Sequence, residues 1–230
     1  MRTLIGIALL VAVGISLAPY ANADHSWGTY HWARTSNPFT LKVVDSVTAS
    51  WDAHLDTAIT DWAASSVLNL TKESGSTGST DRKRCTPLAG KIRVCNQTYG
   101  KNGWLGIASI WAQGDHITQG TTKLNDTYFN TASYNTPAWR RLVMCQEIGH
   151  DFGLDHQDEA FGAPNLGTCM DYTSDPDGGG AYGPDNEHPN AHDYAQLESM
   201  YAHLDALTTI AASKASSAQE EITDDPRSWG

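Results

Sequence analysis

Between Pro137 and Gly153 the chain marks both ends of a helix and sets polar residues at fixed offsets inside it. A proline fits the first helical turn, where its missing N–H has no intrahelical partner to lose. The pattern then runs through Leu142, Val143 and Ile148. Gly153 can take the left-handed conformation that ends a helix and turns the chain. Gln146 and His150, four apart, project from one helix face. Glu147 follows Gln146, and its long side chain can lean over the space between them. The turn at Gly153 can bring His156 back toward His150. Two imidazoles and a side-chain amide oxygen then converge, with a carboxylate beside them. A divalent cation held by three protein groups keeps a fourth position open for water, the design of a catalytic zinc site. An amide oxygen is a weaker zinc donor than imidazole, so softer binding is expected. Asp155, His188 and His192 are the other side chains that could complete the shell.

The rest of the chain reads as strands with one helix among them, then this helix, an irregular stretch and a last helix. Phe39, Leu41 and Val43 alternate with polar residues, as a half-buried strand does. Asp45 or Ser46 can cap a helix with the stripe Val47, Trp51, Leu55, Ala58, Ile59 and Trp62. Residues 73–84 read as a Ser/Thr/Gly-rich surface loop. Strands are predicted around Ile92 and Val94, from Trp104 to Trp111, and within 116–129. After Gly153 regular patterning stops for some thirty residues, by the test of period. Asn190 then caps a helix with apolar positions Tyr194, Leu197, Tyr201 and Leu204. This order predicts an α+β fold with a mixed sheet.

Composition narrows the class. Of 230 residues, 40% are hydrophobic and 18% charged, which fits one globular domain. A formal charge of −11 argues against nucleic-acid phosphates or anionic lipid as partners. Residues 1–23 read as a secretory signal: Arg2, an apolar run from Leu4 to Ala18, and the small-x-small site Ala21-Asn22-Ala23. The mature domain is expected to span 24–212, with a disordered acidic tail over 213–230. Export to an oxidising compartment lets the four cysteines form two disulfides, with three connectivities open. Cys85 and Cys95 enclose a short loop, which leaves Cys145 with Cys169.

The stretch Gln146-Glu147-Ile148-Gly149-His150-Asp151-Phe152-Gly153-Leu154-Asp155-His156 resembles the extended zinc motif of the metzincin metallopeptidases, H-E-x-x-H-x-x-G-x-x-H, with Gln146 in place of the first His. Cys169-Met170-Asp171-Tyr172 resembles the family's Met-turn. The ending His192-Asp193-Tyr194-Ala195-Gln196-Leu197 resembles the C-terminal helix of the matrixin branch. The resemblance covers roughly residues 30–205, and its centre is more specific than its flanks. It implies a metzincin-like α+β fold, with a mixed twisted sheet, an active-site helix and a C-terminal helix.

It also implies a secreted, monomeric zinc endopeptidase acting on peptide or protein substrates, with no membrane association once the signal is cleaved. Zn²⁺ would be held by Gln146, His150 and His156. Glu147 would be the general base, Met170 the floor, and Tyr172 a donor to an oxyanion or a packed ring. The Cys145–Cys169 bridge would hold the Met-turn against the helix. The substrate would lie along an edge strand near 103–111. The chain departs from the matrixin pattern in the Gln, in lacking the cysteine-bearing propeptide that keeps matrixins latent, and in the acidic Gly/Pro stretch after Met170. The alternative is a secreted, non-catalytic metzincin-like binding module whose metal site is lost or weakened. Asp175, Asp177, Asp185, Asn186 and Glu187 are oxygen donors of a kind suited to Ca²⁺. Asn69, Asn96 and Asn125 each begin an N-glycosylation tripeptide.

Overall fold

The computed structural model describes residues 25–209 and 220–223. The signal sequence expected over 1–23 lies outside the described residues, as does most of the expected tail. Among the described residues seven strands form one sheet: β1 (His31–Trp32), β2 (Phe39–Ser46), β3 (Leu68–Ser74), β4 (Lys91–Gln97), β5 (Gly106–Gln113), β6 (His116–Asn125) and β7 (Glu220–Thr223). The helices are α1 (Ala49–Trp62), α2 (Ser79–Arg84), α3 (Asp126–Phe129), α4 (Pro137–His150) and α5 (Ala191–Met200). Strand order is β3-β2-β4-β6-β5-β7, and β1 joins β6 off this row. The β3, β2, β4 and β6 pairings are parallel, as is β1 with β6. β5 runs antiparallel to both β6 and β7. The sheet is therefore mixed. No helix among the described residues is long and apolar enough to cross a membrane.

Two helices cover the sheet and face each other. α1 buries Trp51, Leu55, Ala58 and Trp62, a stripe of helical period. The Trp62 indole N–H donates to the Cys145 carbonyl at 3.0 Å, and that of Trp51 to the Asp126 carboxylate at 2.9 Å. Each ring thus fills the core while its one polar atom is paired. Arg140 of α4 lies 4.4 Å above the Trp51 ring. α4 starts where Thr136 accepts the Trp139 N–H at 3.2 Å and Pro137 takes the first position. From Leu142 to His150 every residue of α4 is buried. A helix buried all round is normally apolar, and this one carries Gln146, Glu147 and His150 into the interior.

Several expectations need correction. The cap of α1 is Thr48, whose N–H donates to Asn96 Oδ1 at 2.7 Å, and not Asp45 or Ser46. Residues 73–84 are not all loop, since β3 extends to Ser74 and α2 follows. α2 is held by its neighbours: Arg82 donates to the Asn96 carbonyl at 2.5 Å, Gln97 to Ser79 at 3.0 Å, and the Cys85–Cys95 disulfide ties its end to β4. Leu204 is 57% exposed, because α5 ends at Met200. Within the expected tail, Glu220–Thr223 pairs with Ser109–Ala112 of β5. The backbone N–H and C=O groups on the edge of β5 satisfy an extended segment without requiring it to bury side chains. Asn96 and Asn125 are buried and hydrogen-bonded, so only Asn69 of the three glycosylation positions is exposed.

Candidate metal centre

The last turn of α4 and the loop after it bring the two motif histidines together. Gly153 has φ +91°, and a Cβ there would collide with the Tyr30 carbonyl. Only glycine fits that turn. The Trp27 N–H donates to the Gly153 carbonyl at 2.8 Å, which fastens the N-terminal segment over the turn. Beyond it, the Leu154 carbonyl receives His150 Nδ1 at 2.9 Å. A carbonyl can only accept, so Nδ1 carries the proton and Nε2 presents a lone pair. That Nε2 lies 3.3 Å from His156 Nε2. Donors about 2.0–2.1 Å from a tetrahedral zinc are roughly 3.3–3.4 Å apart, so this separation is that of two ligands on one ion. Burial, then the charges of His150 and His25, hold His156 well below the ordinary histidine range. A neutral imidazole is the form that ligates.

Gln146 shares the His150 face and is fully buried. Its amide nitrogen donates to the Asp171 carbonyl at 3.0 Å, while its Oε1 is buried and has no hydrogen-bond partner among the described residues. An unsatisfied buried amide oxygen costs about 1–3 kcal/mol, a cost that ligation of a cation would remove. Glu147 is equally buried, and its carboxylate approaches β5. A Cβ on Gly106 would stand 2.5 Å from Glu147 Oε1. The carboxylate therefore sits between the helix and the edge region of the sheet. This donor set, two imidazoles and an orphaned amide oxygen with a carboxylate next in sequence, fits a divalent zinc-class cation.

The floor is the segment after Thr168. A Cβ on Gly149 would stand 2.5 Å from Met170 Sδ and 2.8 Å from the Trp62 ring. Met170 therefore packs directly against the turn that carries Gln146 and His150. Three further links hold this segment: the Cys145–Cys169 disulfide, the Gln146–Asp171 hydrogen bond, and the Gln157 N–H donating to the Met170 carbonyl at 2.7 Å. Tyr172 stacks on the His156 ring, with centroids 5.2 Å apart.

Residues without a mark in the sequence complete the setting. Asp151 is buried against Gly120 and accepts the Thr122 hydroxyl at 2.8 Å, and burial raises its carboxyl well above the usual range. It anchors the end of α4 to β6. Trp27 sets its ring edgewise to His150 at 5.9 Å.

The other candidates for the shell are engaged elsewhere. Asp155 accepts the His156 backbone N–H at 2.9 Å. His188 faces Asp61 at 2.6 Å, and His192 stacks on His25 and Tyr182 at 5.0 Å each. In the acidic stretch Asp175 and Asn186 meet at Asn165, which donates to Asp175 Oδ2 at 3.0 Å and accepts from Asn186 Nδ2 at 2.9 Å. Asn186 accepts the Gly167 and Thr168 N–H groups, Glu187 pairs with Arg141, and Asp185 accepts the Glu187 N–H.

No family model matches the chain, and no curated protein matches it. Among solved structures, it is similar to high choriolytic enzyme 1, a hatching-enzyme zinc-protease from Oryzias latipes (medaka fish). That likeness has 13% identity and a TM-score of 0.41, and covers 79% of this chain and 99% of the other. It is also similar to myroilysin, at 12% identity and a TM-score of 0.43, covering 78% of this chain and 99% of the other. Likenesses this distant assign no function.

Proposed function

We propose that this protein is a secreted, metzincin-like zinc endopeptidase in which Gln146, His150 and His156 hold the cation. The observation that carries this reading is the pair of Nε2 atoms at 3.3 Å, buried His150 against half-buried His156, beside a buried carboxylate and an unsatisfied amide oxygen on the His150 helix. Burying so many polar groups together costs several kcal/mol unless an ion or hydrogen bonds compensate. Zinc, when bound, supplies Lewis acidity toward a carbonyl and lowers the pKa of a water to about 7.

The chain's own residues divide the remaining work. Glu147 accepts the proton of the attacking water at a carboxylate oxygen and delivers it to the nitrogen of the leaving amine. The Leu154 carbonyl holds His150 in the Nδ1–H tautomer, and the Tyr172 ring fixes the plane of His156. The Tyr172 hydroxyl is the side-chain donor assigned to the tetrahedral oxyanion. An extended peptide adds to the β5 edge at Gly106–Ala108, beside Glu147 and outside the Ser109–Ala112 register that pairs with β7. The two disulfides suit an oxidising compartment.

Zinc content and hydrolysis of a quenched-fluorescent peptide library test this reading in the wild type, Glu147→Ala and Gln146→His. Bound zinc and cleavage in the wild type, with cleavage lost and zinc kept in Glu147→Ala, are expected. If both zinc and cleavage arise only in Gln146→His, the protein is the non-catalytic binding module instead.

A further inference from the structure

Three histidines and one aspartate far apart in sequence meet where the two ends of the domain come together. His31 lies on β1 and His116 opens β6, and parallel pairing puts them side by side in register. His203 and Asp205 follow α5. All three imidazoles turn Nε2 toward one carboxylate oxygen: His116 lies 3.2 Å from Asp205 Oδ1, and His31 and His203 each lie 3.5 Å from it. His31 Nε2 and His203 Nε2 are 3.2 Å apart. The three separations among His31, His203 and Asp205 lie close to the edge of a zinc tetrahedron, about 3.3–3.4 Å, while His116 stands outside that mutually close group.

Hydrogen bonds serve two of these contacts: His116 Nε2 reaches Asp205 Oδ1 and His203 Nε2 reaches His31 Nε2. The Thr29 carbonyl receives His31 Nδ1 at 2.8 Å, so in the neutral ring Nε2 offers its lone pair toward His203 and Asp205. Two imidazole nitrogens and a carboxylate oxygen facing one another at these distances are a donor set for a cation. The outer contacts are those that orient ligands in metal sites. The Arg34 guanidinium and backbone N–H hold Asp205 Oδ2 at 2.9 and 3.1 Å, which leaves Oδ1 to face the rings. The Asp205 N–H donates to the Arg34 carbonyl at 2.8 Å, and Arg34 also donates to the His203 carbonyl.

The cluster formed by His25, His192 and Asp193 offers an instructive contrast. There the His25 and His192 rings lie nearly parallel, 15° apart, so their in-plane lone pairs run side by side. Asp193 is also occupied, by His25, Thr168 and the Asn190 N–H. In the first cluster His31 stands at 84° to His203, and their Nε2 atoms converge.

We infer that His31, His203 and Asp205 form a second site for a zinc-class divalent cation, which clasps β1 to the segment after α5, with His116 bonded to Asp205 beside it. The ion joins segments distant in sequence that are brought together only in the folded chain, so its binding stabilises the fold.

This inference does not depend on the protease reading, and its test separates the two. Full-length protein is stripped with chelator, re-equilibrated with Zn²⁺ and its metal content measured. His150→Ala/His156→Ala retains one zinc per chain, and adding His31→Ala or Asp205→Asn removes it. Zinc raises the melting temperature of the double variant but not of the triple one. A folded double variant that binds no zinc, or a triple variant that keeps it, overturns the inference. Should the variants fail to fold, anomalous scattering at the zinc edge from wild-type crystals decides. A peak among His31, His203 and Asp205 upholds the clasp, and its absence refutes it.

Discussion

At His150 and His156 the ring nitrogens are 3.3 Å apart where the last turn of α4 meets the loop after it, His150 buried and His156 half-buried. At His31 and His203 they are 3.2 Å apart at a margin where the His203 side chain is 54% exposed. The first pair is six residues apart in sequence and the second 172. The first has a third donor of the weak amide kind and a carboxylate next to it in sequence. The second has two imidazoles and a carboxylate, with no further acid among them. Similar ligand spacing therefore serves opposite ends: a donor set with a base next in sequence is arranged for chemistry, and one that joins distant segments for holding the fold together. The buried site depends on local helix geometry, and the marginal one exists only once the sheet has formed.

The largest effects fall on the buried site. His150→Ala should abolish peptide hydrolysis and remove one zinc per chain, while zinc at the His31 cluster stays. Glu147→Gln should lower kcat by about 10²–10⁴-fold, the range for losing a general base, with zinc content unchanged. If both substitutions lose metal equally, Glu147 is part of the holding apparatus and the contrast between the sites narrows. Gln146→His should tighten zinc binding roughly tenfold or more, because imidazole replaces an amide oxygen. A chelator competition titration measures this directly, and unchanged affinity would place Gln146 outside the ligand set.

What could be read in the sequence follows the same division. α4 was legible because its start, its apolar period and its glycine stop are all local, and α5 because Asn190 and Asp193 form a capping box. The two disulfide pairs, Cys85–Cys95 and Cys145–Cys169, are also those that cysteine order suggests. α2 was not legible, since its Ser/Thr/Arg/Lys run has no apolar stripe and it is held by Asn96, Gln97 and a disulfide. The pairing of Glu220–Thr223 with β5 was hidden for a related reason: a strand added at an edge is stabilised by backbone hydrogen bonds that composition does not report. The His31 cluster was invisible because no spacing rule links residues brought together by parallel pairing of β1 with β6.

A medium effect probes the packing beneath the buried site. Gly149→Ala improves helix propensity by about 1 kcal/mol, yet its methyl group meets Met170 Sδ and the Trp62 ring. The thioether can shift, but the ring is fixed by its bond to the Cys145 carbonyl. Overpacking of this kind costs about 1–3 kcal/mol, so net destabilisation is expected in urea unfolding. A more stable variant would mean that the floor under His150 is loose, unlike the clasp at the chain ends.

The smallest effect concerns a histidine paired with a carboxylate alone. The hydrogen bond to Asp61 raises His188 above its ordinary 6.5, against the opposing effect of burial. A raised folded value means that the pair stabilises fully below pH 6.5 and loses that contribution as pH rises through the folded value. The His188 side chain is 42% exposed, so solvent screening limits the gain to about 0.2–1 kcal/mol. Asp61→Asn should therefore reduce unfolding free energy at pH 5.5 and leave it unchanged at pH 9. Zinc should not alter that difference. Asp205→Asn should behave otherwise: its destabilisation is larger in zinc-loaded protein than after chelation, because the carboxylate there ligates an ion as well as pairing with Arg34. If the two variants respond alike, with sensitivity to pH and none to zinc, the His31 cluster is another set of imidazole–carboxylate pairs.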